Sequence, residues 1–436
     1  MFSPNTLRLA VMMFLQFFVW GAWYVSMTGF INDQQMSAVT GAAYSVGPLA
    51  AIIAPFFLGM VADRFFATER VLSALHILGG LALFAAPSFA ASFELQPPPE
   101  NASLFYKLVL HDLPAYTHPF ILALLVHMLC YMPTLGLSTS LAFHNLDDQE
   151  KQFPLVRVAG TIGWIVGNIA VSFLPAKDKS PEQFYLAGGA AILLGLYSLT
   201  LPHTPPPQKG KKPTLGQILG TDSLVLFRST SYTVFIICSF LLCIPLAGYY
   251  AYARTYVESA NVLINGSATF TMSLGQMSEV FFMLVMPLFF AFLGVKWMLA
   301  VGMAAWVLRY GLFAAAAGDQ ITWMIVLGVL LHGICYDFFF VTGMIYVDKK
   351  AHKEIRSQAQ GFLVLVTQGL GLGLGAKLFA AHVMMHTTDQ GIDWRTVWLY
   401  PAVFAGIVLV AFCALFWDRP EEATLAASKE AVPAEA

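Results

Sequence analysis

The sequence predicts an all-α polytopic membrane protein, with twelve transmembrane helices arranged as two pseudo-symmetric six-helix halves. Three observations lead there. Apolar residues make up 58% of the 436 positions and charged residues only 11%, less than half the roughly 25% charged of soluble domains. The mean hydropathy of +0.69 agrees. The apolar signal comes in long runs rather than ten-residue alternations, which selects helices over a β-barrel. A short motif also recurs at equivalent places on either side of a polar loop near the midpoint of the chain. The net charge of −2 leaves no basic surface for nucleic acid.

Apolar runs bounded by polar or Pro/Gly-rich breaks place the first six spans near 7–31, 38–62, 70–91, 118–142, 155–174 and 183–201. The second six lie near 232–257, 268–291, 297–317, 321–345, 357–382 and 396–416. The first run ends without a small-residue cleavage site, so it reads as a span and not as a signal peptide. With the N-terminus inside, inner segments hold sixteen Lys and Arg, against five outside (Lys107, Lys177, Lys179, Arg254 and Arg395). That asymmetry predicts a multi-pass membrane protein with both termini cytoplasmic. The expected organisation is an N-terminal half over 1–201, an inner linker over 202–230, a C-terminal half over 231–417 and a disordered cytoplasmic tail over 418–436. The five cysteines lie within apolar runs and lack ligand spacing, so they read as small buried hydrophobes, with no metal site.

Internal duplication points to transport. Span four contains His127-x-x-Cys130-Tyr131 and span ten His332-x-x-Cys335-Tyr336, 205 residues later. FLQFFVWGAWY (14–24) is echoed by FLLCIPLAGYY (240–250) in span seven. Parallel halves related by an axis along the membrane normal form the major facilitator architecture, which holds substrate at the midplane between them. Gly59-Met-Val-Ala-Asp63-Arg64 resembles the start of that superfamily's loop motif, whose Asp and Arg latch the halves on the cytoplasmic side. The motif's later glycines and basic residues are replaced here by FFATER.

Ionisable groups inside a span cost a few kcal/mol on insertion scales, so each requires an explanation. Glu279 sits mid-span, with Gln276 three residues before it on the same helical face. Asp337 follows Tyr336, and His332 shares a face with Tyr336. Arg157, Thr161 and Trp164 form a stripe at i, i+4 and i+7. Each has a plainer reading. Arg157 lies near the start of its span, where a cation anchors at the interface, and Asp337 suits the partner of an intramembrane cation. Arg309 and Lys377 suit structural ion pairs, His127 packing within its half, and Trp20 and Trp23 either an interfacial belt or a pocket wall. Gly163-x-x-x-Gly167 and the Gly369–Gly375 alternation permit close helix approach. With no phosphate-cradling loop, ATP is not the expected energy source, and no cofactor is expected.

At this point the chain resembles the bacterial nucleoside:proton symporters, a branch of the major facilitator superfamily. The stretches that carry the resemblance are FLQFFVWGAW (14–23), YMPTLGL (131–137), FPLVRVAGTIGW (153–164), SLGQMSE (273–279), YDFFFVTGMIYVDKKAHKEIRSQAQG (336–361) and GIDWRTVWL (391–399). The resemblance implies nucleoside uptake driven by an inward proton gradient, in a protein expected to be a monomer and not an enzyme. It further implies a substrate site at Arg157, Thr161, Trp164, Gln276, Glu279, His332 and Tyr336, with Asp337 or Glu279 carrying the proton. Burial favours the neutral form of such an acid. One departure affects substrate choice: Ala247 and Tyr250 stand where the family places amide side chains. His332 and Tyr336 also replace its more usual tyrosine and phenylalanine. A proton-coupled sugar symporter is the alternative, ahead of a drug exporter or an intramembrane enzyme or receptor.

Overall fold

The computed structural model describes residues 4–57, 66–96, 98–99, 101–147, 149–205, 221–352 and 355–417. Asp63 and Arg64, most of the linker and the tail from 418 lie outside the described residues.

Among the described residues, twelve helical spans follow one another in the order expected. Span one comprises Pro4–Gly21 and, after a turn, Met27–Asp33. Spans two to six are Thr40–Phe57, Thr68–Ala85, Pro119–Asn145, Gln149–Val171 and Glu182–Ser198. Span seven is Thr230–Ser259. Spans eight and nine run as Ala268–Ala316, interrupted at Gly294. With φ +63° and ψ 179°, Gly294 turns the chain back at a conformation that only glycine adopts without strain. Span ten is built of Thr322–Leu330, His332–Cys335, Tyr336–Val341 and Thr342–Lys350, and span eleven of Arg356–Val364, Leu365–Gly371 and Leu372–Met385. Span twelve is Trp394–Leu415.

Span five begins at Gln149, six residues before the apolar signal suggests. Arg157 therefore sits more than two turns inside its helix.

The halves repeat their packing. Spans one and five, two and four, three and six, and one and six pack together in the first half. Seven and eleven, eight and ten, nine and twelve, and seven and twelve do so in the second. Adding six to each span number converts one set into the other. The repeated motifs occupy matching places: Trp23 packs on His127 with centroids 5.5 Å apart, and Tyr249 on His332 at 5.6 Å. Tyr24 and Tyr250, which close the two echoes, meet across the pseudo-axis at 6.0 Å.

Small residues set these distances, because apolar lipid supplies no hydrophobic drive between helices and close van der Waals packing must do so. A Cβ on Gly163 would stand 2.1 Å from the Phe14 carbonyl, and one on Gly167 2.7 Å from that of Phe18. In span eleven, Gly371 and Gly375 press on Cys243 and Ile244 of span seven, whereas Gly369 and Gly373 face Ile52 and Pro48 of span two. The alternating glycines thus serve both the inside of one half and the seam between halves.

Asp393 caps span twelve by accepting from the Thr396 N–H at 3.2 Å. Hydrogen bonds from the Thr396 side chain and backbone hold its carboxyl below the usual carboxylate range. A depressed folded-state value contributes stability above the unfolded value and loses it as the pH falls through the folded one. Asp393→Ala is expected to cost about 1 kcal/mol near neutral pH. The check is a lowered unfolding temperature in detergent, with a difference from the parent that shrinks below the ordinary aspartate value of about 3.9.

At the end opposite the termini the halves are tied by polar contacts. Asp178, 3% exposed, accepts from Arg254 Nε at 3.2 Å and Nη2 at 3.0 Å, from Ser267 Oγ at 2.9 Å and from the Thr269 N–H at 2.9 Å. Arg254 also donates to Glu258 at 2.7 Å, and Lys177 donates to the Gly266 carbonyl at 2.7 Å. At the same end Lys377 of span eleven donates to Asp112 at 2.7 Å. Lys377 is thus the structural ion pair expected of it, with a loop carboxylate as partner.

Candidate functional site

The stripe in span five faces the polar face of span eight across the seam. Arg157 and Glu279 lie near enough to interact electrostatically, and Tyr336 lies within reach of both. Glu279 is 3.9 Å from His332 Nε2 and also interacts with Asp337 and Tyr250. Residues 120 to 180 positions apart in the chain thereby form one cluster, with its cation from the first half and its carboxylates from the second.

The helices that carry these groups are interrupted beside them. Span ten breaks at Leu331 and continues through a π-helical segment, Tyr336–Val341, a geometry recurrent at functional sites. The break leaves the Leu330 carbonyl and the Gly333 N–H beside Ser278: its hydroxyl accepts from Gly333 N at 3.0 Å and shares its one proton between Leu330 O at 2.7 Å and Gly275 O of its own helix at 2.6 Å. A Cβ on Gly333 would lie 2.6 Å from the Ser278 carbonyl, so no side chain fits at this crossing. Glu279, the next residue, is fixed in depth against span ten by this bridge. Discontinuous helices of this kind build the midplane sites of secondary transporters.

Aromatic rings line both sides. From the first half, Trp164 meets Trp20 edge-on at 5.3 Å, and Trp20 meets Tyr131 at 5.6 Å. From the second, His332 stacks on Tyr249 at 15° between planes and lies 6.1 Å from Tyr336. Tyr250 contacts Tyr24, Tyr249 and His332, touching both walls. Thr161 is buried on the Arg157 face, and Gln276 is 4% exposed with its Oε1 unpaired. His332 Nδ1 and Arg157 Nη1 are likewise buried without a hydrogen-bond partner, so the cluster keeps polar capacity for a ligand.

Three residues depart from the plainer readings. Asp337 is fully buried, and among the described residues neither carboxylate oxygen has a hydrogen-bond partner or a cation paired with it. Arg309, also 0% exposed, forms no ion pair among the described residues and lies over the Tyr249 ring at 4.2 Å. Trp23 is completely buried against His127 and Phe184, which excludes an interfacial belt. His127 packs inside its own half, donating from Nδ1 to the Gly79 carbonyl at 2.9 Å. A separate cavity of 670 Å³ lies between the halves at the end opposite the termini, lined by Thr28, Asn32, Asp112, Tyr252 and Thr255, and it contains none of the candidate site residues.

Comparison with known proteins gives this arrangement its family. A family model described as nucleoside H+ symporter matches residues 4–96 and 107–421. The chain belongs to the nucleoside:proton symporter family. YegT of Escherichia coli K12 is 37% identical to the symporter over 96% of either chain. The nucleoside permease NupG of the same organism is 32% identical, over 94% of the symporter and 95% of NupG. A crystal structure of the nucleoside transporter NupG superposes with a TM-score of 0.79 at 30% identity, covering 96% of the symporter and all of that chain. The symporter is therefore a multi-pass membrane transporter of the major facilitator fold and not an enzyme, and it couples nucleoside import to protons.

Reading by spacing found the polar members of the cluster, and the resemblance drew in Tyr250, but Ser278, Tyr131 and Tyr24 were missed as members of the site. The echo of 14–24 in 240–250 was the available signal for Tyr24. Ser278 has none, because a serine between Met277 and Glu279 becomes informative only once span ten is seen to break beside it.

Proposed function

We propose that the protein imports nucleosides across the bacterial inner membrane by alternating access, as a monomer with both termini cytoplasmic. The halves 1–201 and 231–417 rock about the central cluster, 202–230 tethers them, and 418–436 is a cytoplasmic tail. The observation that carries this reading is a polar cluster with its cation, Arg157, from one half and its carboxylate, Glu279, from the other, within electrostatic reach between aromatic walls supplied by both halves. A site built half from each side changes shape whenever the halves move, which coupling requires.

Trp164 and Tyr336 offer flat apolar faces for a nucleobase. Arg157, Thr161, Gln276, Glu279 and His332 supply donors and acceptors for base edges and ribose hydroxyls. Asp337 and Glu279 carry the coupled proton: protonation removes a charge that Asp337, with no partner at either oxygen, has no means of sharing. The positive-inside asymmetry supports the orientation, and it places the Asp178–Arg254 tie on the outer side.

Purified protein in liposomes is expected to accumulate labelled uridine when the exterior is acidified, and to stop when an ionophore collapses the gradient. Uptake indifferent to the gradient would sink the symport reading. Competition by sugars as strong as by nucleosides would move the substrate class to sugars.

A further inference from the structure

Beneath the first-half aromatic wall lies a buried hydrogen-bonded chain that the transport reading does not use. Gln16, 0% exposed, occupies its centre. Its Oε1 accepts from His76 Nε2 at 2.9 Å, and its Nε2 donates to Thr134 Oγ1 at 2.8 Å. The Thr134 hydroxyl donates in turn to the Tyr131 carbonyl at 2.6 Å. The Tyr131 hydroxyl returns to span one, donating to the Gln16 carbonyl at 2.6 Å. In this arrangement His76 is the Nε2–H tautomer, and each donor in the chain has one acceptor. Spans one, three and four are thus pinned at a single level by one side chain.

That level lies one helical turn from the site. Trp20 is four residues after Gln16 on the same face and rests edge-on against both Tyr131 and Trp164. Tyr131 is within electrostatic reach of Arg157. We infer that Gln16 is a positioning residue for substrate: acting through Tyr131 and Trp20, it sets the depth of the aromatic wall against which Arg157 and Trp164 hold the ligand. The inference rests on the assignment of that cluster as the nucleoside site. A buried amide is suited to this task because its bonds are lost together if span one slides, so the wall has one favoured register instead of a continuum.

The test is equilibrium binding of uridine to the full-length protein in detergent, alongside its unfolding temperature. Gln16→Met keeps length and apolar volume while removing both side-chain bonds. It is expected to weaken uridine binding about tenfold, the scale on which small displacements of a binding group act. It is also expected to change the ratio of adenosine to uridine affinity, which a purely structural role would leave alone. Tyr131→Phe, which deletes only the hydroxyl bond to span one, is expected to weaken binding too, and it serves if Gln16→Met does not fold. The double variant is expected to bind no worse than Gln16→Met alone, because both act through one contact. Unchanged affinity in Gln16→Met, or additive losses in the double variant, would overturn the inference. Arg157→Ala separates the two levels. If it loses uridine while Gln16→Met does not, the positioning role fails and the site stands; if neither variant loses uridine, the site assignment itself fails.

Discussion

Asp337→Asn is expected to abolish concentrative uptake while leaving nucleoside binding and exchange across the membrane within a few-fold of the parent. The expectation follows from isolation: the carboxylate is 0% exposed and neither oxygen is paired. Holding an unshared charge in the middle of a span costs about 3 kcal/mol on insertion scales, or roughly a hundredfold in the population of any conformation that buries it. Asparagine carries no charge, so the halves can change places without a proton, and the gradient then has nothing to drive. The measurement is uridine accumulation in liposomes under an inward proton gradient, beside counterflow without one. Loss of accumulation with retained counterflow supports the role. A variant that still concentrates uridine assigns the proton to Glu279, and Glu279→Gln becomes the decoupling substitution.

Asp178→Ala is expected to loosen closure at the end opposite the termini and to reduce uptake by at least about tenfold. Asp178 joins loop five–six of one half to span seven and the start of span eight of the other, with four donors on one buried carboxylate. Its partner Arg254 is only 2% exposed. Removing one member of a wholly isolated buried pair typically costs about 3–5 kcal/mol; Arg254 keeps Glu258 as a second carboxylate partner at 2.7 Å, so the loss of Asp178 costs less than that. When the halves part, water reaches Arg254 and the cost lapses, so the penalty falls on the closed conformation alone. A bias of even about 1.4 kcal/mol moves a two-state equilibrium tenfold. Spin labels at Phe173 and Leu263, exposed positions on opposite halves at that end, read the distance directly. A longer, broader separation in Asp178→Ala is expected; an unchanged distance together with normal uptake would dismiss the latch.

How much was legible beforehand depends on the distance over which each feature is written. The twelve spans were readable because crossing a bilayer requires some twenty apolar residues in a row, a property of contiguous sequence. The halves were readable because duplication left His127 and Tyr131 matched to His332 and Tyr336. The candidate polar residues were readable because charges are rare inside spans. The helix of span five starts at Gln149, ahead of the apolar run at 155, because polar residues such as Gln149 and Gln152 extend a helix without adding to the apolar signal. Asp337 and Arg309 each suited a structural ion pair, yet both are buried without a charge partner among the described residues.

By itself, then, the sequence determined that the chain spans the membrane twelve times, that it is two related halves, and which few polar groups those halves carry at depth. Only the tertiary structure decided that Arg157 comes within electrostatic reach of Glu279, that Ser278 bridges the break in span ten, and that Asp178 ties one half to the other. The physical reason is one of range. Hydrophobic length and helical spacing act between neighbours in the chain. The pairing of groups more than fifty residues apart depends on how closely glycines let the helices approach and where their breaks leave backbone groups to be satisfied.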